Sequence, residues 1–436
     1  MPTNRILIAL IAALAGTSAA LLGIDDPVQV RAVAIVACCM ALWLSEVVPP
    51  FVPTLLLLSV VPLAMPGNTF GVSALIGWMA DPVLVLFFGG LTLGIAAQRY
   101  GIDTEITSMA LRWSGGSRLK LILLVMLVTA GLSMWMSNTA ATAMMIAALR
   151  PLMSESGSDQ RFRIGILVAI AASANLGGMG TPIGSPPNAV AVAALEAIHP
   201  ISIVEWMFFS IPCLIVLLGV VFGFLVWRYR LAQGPALQIP SAVPATWGIR
   251  PWAVLVIFAA MVSLWLSEPW HGIPVPVVAA CGAMAFFGSG LLEGRDLMRI
   301  DWSTLLLIAG GLAAGRLLQE TEVISTAAAL VDWQQMPQTL RMLVLVSIAA
   351  GLSAVMSNTA TATMLIPLAY AIEPAPATCI MVALGCSLGM CFIISTPANA
   401  LVAGEGVRSS DLLFPGLIVL AVGLALVLIA TPLVLR

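Results

Sequence analysis

The chain has 436 residues, of which 61% are hydrophobic and 9% are charged, and its formal net charge is −2. A soluble domain carries about 25% charged residues, so this composition excludes a soluble globular protein and indicates a polytopic membrane protein in a lipid bilayer. The sequence has no basic run, so we expect no nucleic-acid partner.

The chain begins with an apolar run at 6–23, which we interpret as an uncleaved first membrane span rather than a signal peptide ending near Ala19. Hydropathy predicts further spans at 28–46, 51–65, 81–99, 164–195, 207–228, 251–267, 274–292, 302–319, 376–404 and 412–434. Two other apolar runs, 118–150 and 339–373, are interrupted by polar residues and are interpreted as re-entrant hairpins. The sequence therefore predicts an all-α polytopic membrane protein with about 11 transmembrane helices plus two re-entrant hairpins.

The polar interruptions are copies of one motif within a longer internal repeat. Three pairs of segments correspond at an offset of about 210 to 220 residues: Met136-Ser137-Asn138-Thr139-Ala140 with Met356-Ser357-Asn358-Thr359-Ala360, Trp43-Leu44-Ser45-Glu46 with Trp265-Leu266-Ser267-Glu268, and Gly184-Ser185-Pro186-Pro187-Asn188 with Ser395-Thr396-Pro397-Ala398-Asn399. A single Ser-Asn-Thr triplet would be typical of polar contacts between helices. Two copies on interrupted helices instead indicate the binding centre of a transporter built from two halves.

Glycine pairs also repeat, and they predict closely packed spans. Asp81 precedes Gly89-Gly90 and Gly94, and Asp301 precedes Gly310-Gly311 and Gly315. Small residues four apart allow two helices to approach closely.

The basic residues predict the orientation of the chain. With a cytoplasmic N terminus and two hairpins, 14 of the 18 Lys and Arg residues face the cytoplasm, and the other four face outside, namely Arg31, Arg316, Arg341 and Arg436. If 118–150 crossed the membrane once, Arg150, Arg161 and Arg163 would move outside and the bias would fall. The hairpin interpretation makes the number of crossings per half odd, so the halves are inverted and the C terminus lies outside.

Two short segments before the hairpins, 103–113 and 320–333, each have one apolar face. They are too short to span the bilayer, so we interpret them as interfacial helices, with helices in a solvated loop as the alternative. Residues 231–249 are polar and rich in Pro, as expected for a cytoplasmic linker between the halves.

The residues near the two triplets indicate how a ligand would be held. Ser, Asn and Thr supply neutral oxygens that suit a hard cation and donors that suit an anion. Lys, Arg and His do not occur near either triplet, so an anion would depend on neutral donors, helix N-termini and bound cations. We expect Pro186 and Pro397 to break their helices by removing a hydrogen bond and to free carbonyl groups for a cation; a simple kink is the alternative.

From residue 28 to about 434, these paired motifs resemble the divalent anion–sodium symporter family. The resemblance implies a homodimer that carries di- or tricarboxylates or sulfate with sodium by an elevator motion. It divides the chain into a scaffold (1–113 and 250–333, each part with an interfacial arm helix), a linker (231–249) and a transport domain. The transport domain comprises 114–230, with hairpin 118–150, broken helix 164–195 and helix 207–228, and 334–436, with hairpin 339–373, broken helix 376–404 and helix 412–434.

The resemblance also implies the ligand sites. The first cation site would use Ser133, Ser137, Asn138 and the Gly184 carbonyl, and the second would use Ser353, Asn358 and the Ser395 carbonyl. The substrate would contact Asn138, Thr139, Ser185, Pro186, Asn358, Thr359, Thr396 and Pro397. Ala398 stands where the family usually has Pro.

We therefore expect sodium symport of a small dicarboxylate such as succinate, fumarate or malate across the plasma (inner) membrane. Sodium-independent anion exchange, and symport of citrate, tartrate or sulfate, are the alternatives. The spans contain no HExxH motif, catalytic dyad or paired-carboxylate motif, so we expect no enzymatic activity. The seven Cys lie in or beside apolar segments without a CxxC pair, and with only two His they predict no resident metal or disulfide framework.

Overall fold

A computed structural model describes residues 26–45, 47–65, 67–155, 160–196, 199–233, 237 and 248–434. These residues form α-helices and short 3-10 turns with no strand among them, which confirms the predicted all-α fold class. The predicted first span at 6–23, Glu46 and most of the linker 231–249 lie outside the described residues.

In chain order the described helices of the first half are α1 (Pro27–Ser45), α2 (Val52–Ala64), α3 (Val72–Met79), α4 (Pro82–Arg99), α5 (Ile102–Ser114), α6 (Arg118–Ser133), α7 (Asn138–Glu155), α8 (Gln160–Gly177), α9 (Pro186–Glu196) and α10 (Ile203–Tyr229). Those of the second half are α11 (Ile249–Leu266), α12 (Glu268–His271), α13 (Val275–Gly288), α14 (Trp302–Glu320), α15 (Val323–Ala329), α16 (Gln338–Val355), α17 (Asn358–Ile372), α18 (Pro376–Leu388), α19 (Pro397–Gly404) and α20 (Ser409–Val434). Short 3-10 turns lie at Asn68–Phe70, Gly294–Arg299, Trp333–Gln335 and Ile393–Ser395.

Five of the described helices, α4, α10, α11, α16 and α20, are long and apolar enough to cross a membrane. The predicted spans at 164–195 and 376–404 are each divided into two shorter helices, α8–α9 and α18–α19, and those at 51–65 and 274–292 form the short helices α2 and α13. The helix α16 meets the length criterion although it is the first arm of the second predicted hairpin. The count of 11 crossing helices therefore stays a prediction.

Each helix that carries a Gly-Gly pair packs against a short helix from the other half. A Cβ atom on Gly89 of α4 would lie 2.6 Å from the Cβ of Ala279 in α13. In the second half, Gly310 of α14 packs on Thr54 of α2, whose Oγ1 donates to the Leu306 carbonyl at 2.8 Å. The glycines thus permit the close helix packing that the small-residue spacing predicts.

Each interrupted apolar run folds back on itself. The chain breaks between α6 and α7 and again between α16 and α17, and in both cases the two arms pack together. Arg341 and Glu373 form an ion pair at 2.6 Å across the open end of the second hairpin. The broken helix α18–α19 begins beside this pair and ends at Glu405, which pairs with Arg150 at the end of the first hairpin. The open ends of the two hairpins therefore lie at opposite ends of this broken helix.

The interfacial segments differ in how well the sequence predicted them. The first, expected at 103–113, is α5, with nearly the same bounds. The second, expected at 320–333, is shorter: α14 extends to Glu320, and α15 covers only Val323–Ala329. The left-handed backbone of Glu322, with φ 58°, separates the two helices. The predicted bounds were wrong here because the apolar face of 320–333 did not reveal that Glu320 belongs to the preceding helix.

Candidate functional site

A cavity of about 580 Å³ lies where the two hairpin tips and the two helix breaks meet. All eight residues expected to contact the substrate line it: Asn138, Thr139, Ser185, Pro186, Asn358, Thr359, Thr396 and Pro397. Its volume falls in the range of about 300–1,000 Å³ that is typical of small-molecule sites. The fold thus brings together segments that are far apart in the chain.

Four helix N-termini converge on this cavity. The first residues of α7, α9, α17 and α19 are Asn138, Pro186, Asn358 and Pro397, and all four line the cavity. Each helix N-terminus presents free N–H groups and roughly half a positive charge. The described lining residues include no Lys, Arg or His, as the sequence predicted. The cavity therefore has the donors and the field for an anion without a fixed cationic side chain.

Asp301, Ser303 and Thr304, which the sequence analysis did not assign to the site, also line the cavity. The Asp301 carboxylate accepts hydrogen bonds from the backbone N–H of Thr304 at 3.0 Å and from its hydroxyl at 2.6 Å. It therefore caps the N-terminus of α14, and this contact partly offsets its charge. An Asp before an apolar run is a recognisable helix cap, but that signal does not reveal which cavity the cap faces.

The first expected cation site forms a compact group of oxygens behind the first tip. Ser133 is fully buried, and its Oγ donates to the Ala174 carbonyl at 2.7 Å. The Asn138 side-chain amide lies 2.7 Å from Ser133 Oγ. With its nitrogen turned inward, this amide also donates to the carbonyl oxygens of Gly184 and Ala174, both at 3.2 Å. Rotation of the same amide would present its oxygen to the group.

The second expected cation site repeats this arrangement. Ser353 is fully buried, and its Oγ lies 2.5 Å from both Asn358 Oδ1 and the Cys386 carbonyl oxygen. Ser395 lines the cavity beside this group, and its hydroxyl donates to the Phe392 carbonyl at 2.7 Å. Ser133 and Ser353 do not line the cavity themselves, whereas Ser137, Asn138, Gly184, Asn358 and Ser395 do.

The helix breaks do not arise as the sequence analysis expected. Pro186 and Pro397 are the first residues of α9 and α19, where the missing N–H costs no helical hydrogen bond. The side chains of two asparagines instead stabilise the breaks by hydrogen bonds to free carbonyl groups. Asn188 Nδ2 donates to the carbonyls of Gly178 and Thr181 at 2.9 and 2.8 Å. Asn399 Nδ2 donates likewise to those of Met390 and Phe392 at 3.1 and 2.8 Å. The prolines thus start new helices rather than kinking continuous ones.

A second cavity, of about 170 Å³, has the opposite electrostatic character. Its lining includes four carboxylates, those of Asp81, Glu196, Glu205 and Glu268. Burial raises the pKa of Glu196, and nearby Asp81 adds to the shift. Burial also raises the pKa of Glu268; the Val275 backbone N–H and His271 oppose this shift, and Glu196 and Glu205 add to it. An anionic substrate would be repelled here, so the cavity between the hairpin tips is the better anion site.

Comparison with known proteins matches residues 40–378 of this chain to the family model of the citrate transporters. The chain is 28% identical over 421 residues to an uncharacterized transporter of Haemophilus influenzae, a match that covers 90% of this chain and 88% of that protein. It is 27% identical over 412 residues to the sodium-dependent dicarboxylate transporter SdcS of Staphylococcus saprophyticus, covering 84% of this chain and 78% of that protein.

The chain is also 27% identical over 318 residues to the inorganic phosphate transporter PHO87 of Saccharomyces cerevisiae, a match that covers 70% of this chain and 34% of that protein. Among solved structures, the chain is similar to the Alcanivorax borkumensis YdaH transporter. The TM-score is 0.60 at 16% sequence identity, and the match covers 94% of this chain and 99% of that one. At this identity the likeness supports the fold alone.

Proposed function

The chain belongs to the citrate transporter family, and we propose that it imports a small dicarboxylate, such as succinate, fumarate or malate, together with sodium. One observation carries this proposal. Four helix N-termini and two Ser-Asn-Thr tips converge on one cavity whose described lining has no cationic side chain. Such a site suits an anion that brings its own counter-charge as a bound cation.

The paired tips favour a substrate with two anionic ends. The carboxyl pKa values of a C4 acid are close to those of Asp and Glu, so both ends are ionised at pH 7. Thr139 and Asn138 stand at one tip, and Thr359 and Asn358 stand at the other. Each carboxylate would therefore accept hydrogen bonds from one tip and from the N-terminus of the helix that follows it.

Sodium would occupy the two buried groups around Ser133 and Ser353, where hydroxyl, amide and carbonyl oxygens are a few ångströms apart. A cation bound there adds the positive charge that the anion lacks among the side chains. Each ligand then strengthens the binding of the other by the same factor, which is the thermodynamic requirement for coupling. The relative named as a sodium-dependent dicarboxylate transporter supports this proposal.

Transport would follow an elevator motion, in which hairpins and broken helices move against a fixed scaffold. The packing at the glycine pairs supports this division. The second glycine of each pair, Gly90 or Gly311, faces a residue of the proposed transport domain, Ile183 or Thr363. These contacts lack interlocking side chains on the scaffold side. The arms α5 and α15 would connect the mobile part to the scaffold.

In this conformation the cavity between the hairpin tips would open towards the cytoplasm. Pro50 and Asp301 line the cavity, and both belong to loops that the distribution of basic residues assigns to the cytoplasm. We place the protein in the plasma membrane with a cytoplasmic N terminus and an external C terminus. We also propose a homodimer joined through its scaffolds, which rests on the family resemblance.

The substrate is tested by uptake of labelled succinate into proteoliposomes, with and without an inward sodium gradient. We expect the gradient to stimulate uptake, and excess unlabelled succinate or fumarate to compete better than citrate, tartrate, sulfate or phosphate. Citrate is the main alternative because the family carries its name and the cavity is large enough for it. Stronger competition by citrate would assign the site to a tricarboxylate, and uptake independent of sodium would favour anion exchange.

A further inference from the structure

The two buried serines identify equivalent positions in the two halves of the chain. Ser133 Oγ donates to the Ala174 carbonyl at 2.7 Å, and Ser353 Oγ donates to the Cys386 carbonyl at 2.5 Å. Ala174 and Cys386 are therefore equivalent. The next residues along the chain, Asn175 and Ser387, are equivalent as well.

The two asparagines that hold the helix breaks are also equivalent. Asn188 and Asn399 each donate from Nδ2 to two carbonyls of their own break. Strict repetition of the contacts would therefore produce two bridges between the halves, one from Asn175 to Asn399 and one from residue 387 to Asn188.

Only one of these bridges is present. Asn175 Nδ2 donates to Asn399 Oδ1 at 3.0 Å, and both side chains are buried. In the other half, within the part of the chain that the structure describes, Ser387 Oγ and Asn188 Oδ1 are both buried and have no hydrogen-bond partner. A serine carries a hydroxyl where an asparagine carries a carboxamide, so its side chain is about one bond shorter and has no amide nitrogen to donate to Asn188.

The Asn175–Asn399 bridge connects the first cation group to the second. Asn175 follows Ala174, whose carbonyl accepts a hydrogen bond from Ser133. The side-chain amide of Asn175 donates to that of Asn399. The amide of Asn399 in turn donates to the Met390 and Phe392 carbonyls, which lie near Ser395 in the chain. A cation coordinated by the Ser133 hydroxyl or the Ala174 carbonyl would displace the adjacent Asn175. That displacement would be passed to the second helix break through Asn399.

We propose that Asn175 is a positioning residue that couples the two cation sites, so that sodium at the first site raises the affinity of the second. This inference rests on the proposed sodium symport. A coupling of about fivefold or more between the sites would make the sodium dependence of transport sigmoidal. Because the link is a single hydrogen bond, its loss makes the two sites bind sodium nearly independently.

The test exchanges the two equivalent residues. Asn175→Ser removes the bridge, Ser387→Asn supplies the missing one, and the double variant moves the bridge to the other half. Two readouts are measured for each purified protein: the Hill coefficient of sodium-stimulated succinate uptake, and the sodium dependence of thermal stability in detergent without substrate. The second readout reports sodium binding independently of transport.

For Asn175→Ser we expect the Hill coefficient to fall towards 1 from a wild-type value between 1 and 2, while the succinate KM at saturating sodium changes less than about twofold. The double variant should regain a coefficient near that of the wild type. A purely structural role would lower thermal stability and maximal rate in Asn175→Ser but leave the coefficient unchanged, and that result would overturn the proposal. So would a double variant that fails to regain cooperativity.

If Asn175→Ser does not fold, Ser387→Asn alone provides the test, because a second bridge should steepen the sodium dependence; an unchanged dependence would overturn the proposal. The proposed function fails differently. Wild-type protein that neither needs sodium for uptake nor gains stability from sodium would refute the symport itself. Sodium dependence in the wild type with a Hill coefficient of 1 would refute the coupling alone.

Discussion

The guanidinium of Arg118 lies over the ring of Phe162, 4.9 Å from its centroid. Arg118 begins α6, the first arm of the first hairpin, and Phe162 lies just beyond the end of the second arm, in α8. The contact places both ends of 118–155 at one end of the molecule. Arg150 and Arg163 reach Glu405 at this same end, at 2.8 and 3.8 Å. A single crossing of the membrane by this segment would separate these residues.

The first prediction follows from this contact and concerns topology. Cysteines at Lys120 and Gln160, which are both exposed, should be labelled by a membrane-impermeant thiol reagent only from the cytoplasm. Gln335, at the open end of the second hairpin, should be labelled only from outside. The exposed native Cys281 must be replaced first. Labelling at Gln160 from outside would mean that 118–155 crosses the bilayer.

The second prediction concerns the cation groups. Asn138→Ala or Asn358→Ala removes an amide that contacts Ser133 or Ser353. The loss of one buried polar partner costs about 1–3 kcal/mol, so the sodium concentration for half-maximal uptake should rise roughly 5- to 150-fold. Asn68→Ala, at an exposed position of a short 3-10 turn, is the control and should behave like the wild type. Normal sodium activation in both site variants would refute the assignment.

The third prediction separates the anion from the cation. Thr139→Ala and Thr359→Ala each remove a hydroxyl that lines the cavity. Each should raise the succinate KM about 5- to 150-fold, because a buried carboxylate oxygen loses a partner at about 1–3 kcal/mol. The sodium requirement should change much less.

Competition by a monocarboxylate extends this test. Butyrate engages only one tip, so it should compete poorly with succinate in the wild type. The exposed Thr69→Ala variant is the control and should keep the wild-type KM. Equal inhibition by butyrate and succinate would contradict a site that uses both tips.

The fourth prediction concerns the contact between the proposed scaffold and the proposed transport domain. A Cβ atom on Gly311 would lie 2.5 Å from the Oγ1 of Thr363, which itself donates to the Thr359 carbonyl at 2.9 Å. Overpacking costs about 1–3 kcal/mol, so Gly311→Ala should slow uptake roughly tenfold or more. Adding Thr363→Ala removes the crowded atoms and should restore part of the rate.

Gly219→Ala is the matched control for this variant, because a Cβ at Gly219 meets no atom within 4 Å. It should transport at the wild-type rate. If Gly311→Ala also transported at that rate, the tight contact with Thr363 would not limit the motion.

The sequence indicated the candidate site mainly through repetition. The tips at Ser137-Asn138-Thr139 and Ser357-Asn358-Thr359 were recognisable because the motif occurs twice inside apolar runs, and the structure places both at one cavity. Helix bounds were also close, because apolar runs end where loops begin. The expected break at Pro186 was located correctly, although Pro186 starts a helix and Asn188 holds the break.

Contacts between residues far apart in the chain could not be predicted from the sequence. Asn175 lies inside an apolar helix, and nothing in its local pattern indicates Asn399 as its partner. Asp301 was visible as the start of an apolar run, but its place at the cavity depends on how α14 packs against α17 of the second hairpin. Such contacts arise from tertiary packing, for which local periodicity carries no information.

The most direct measurement is the flux of labelled sodium into proteoliposomes driven by an inward succinate gradient. Sodium concentration is equal on both sides, and the membrane potential is clamped at zero. The proposed coupling predicts that sodium accumulates inside while the succinate gradient lasts, and that an equal butyrate gradient has no such effect. Entry of succinate without any movement of sodium would contradict sodium symport.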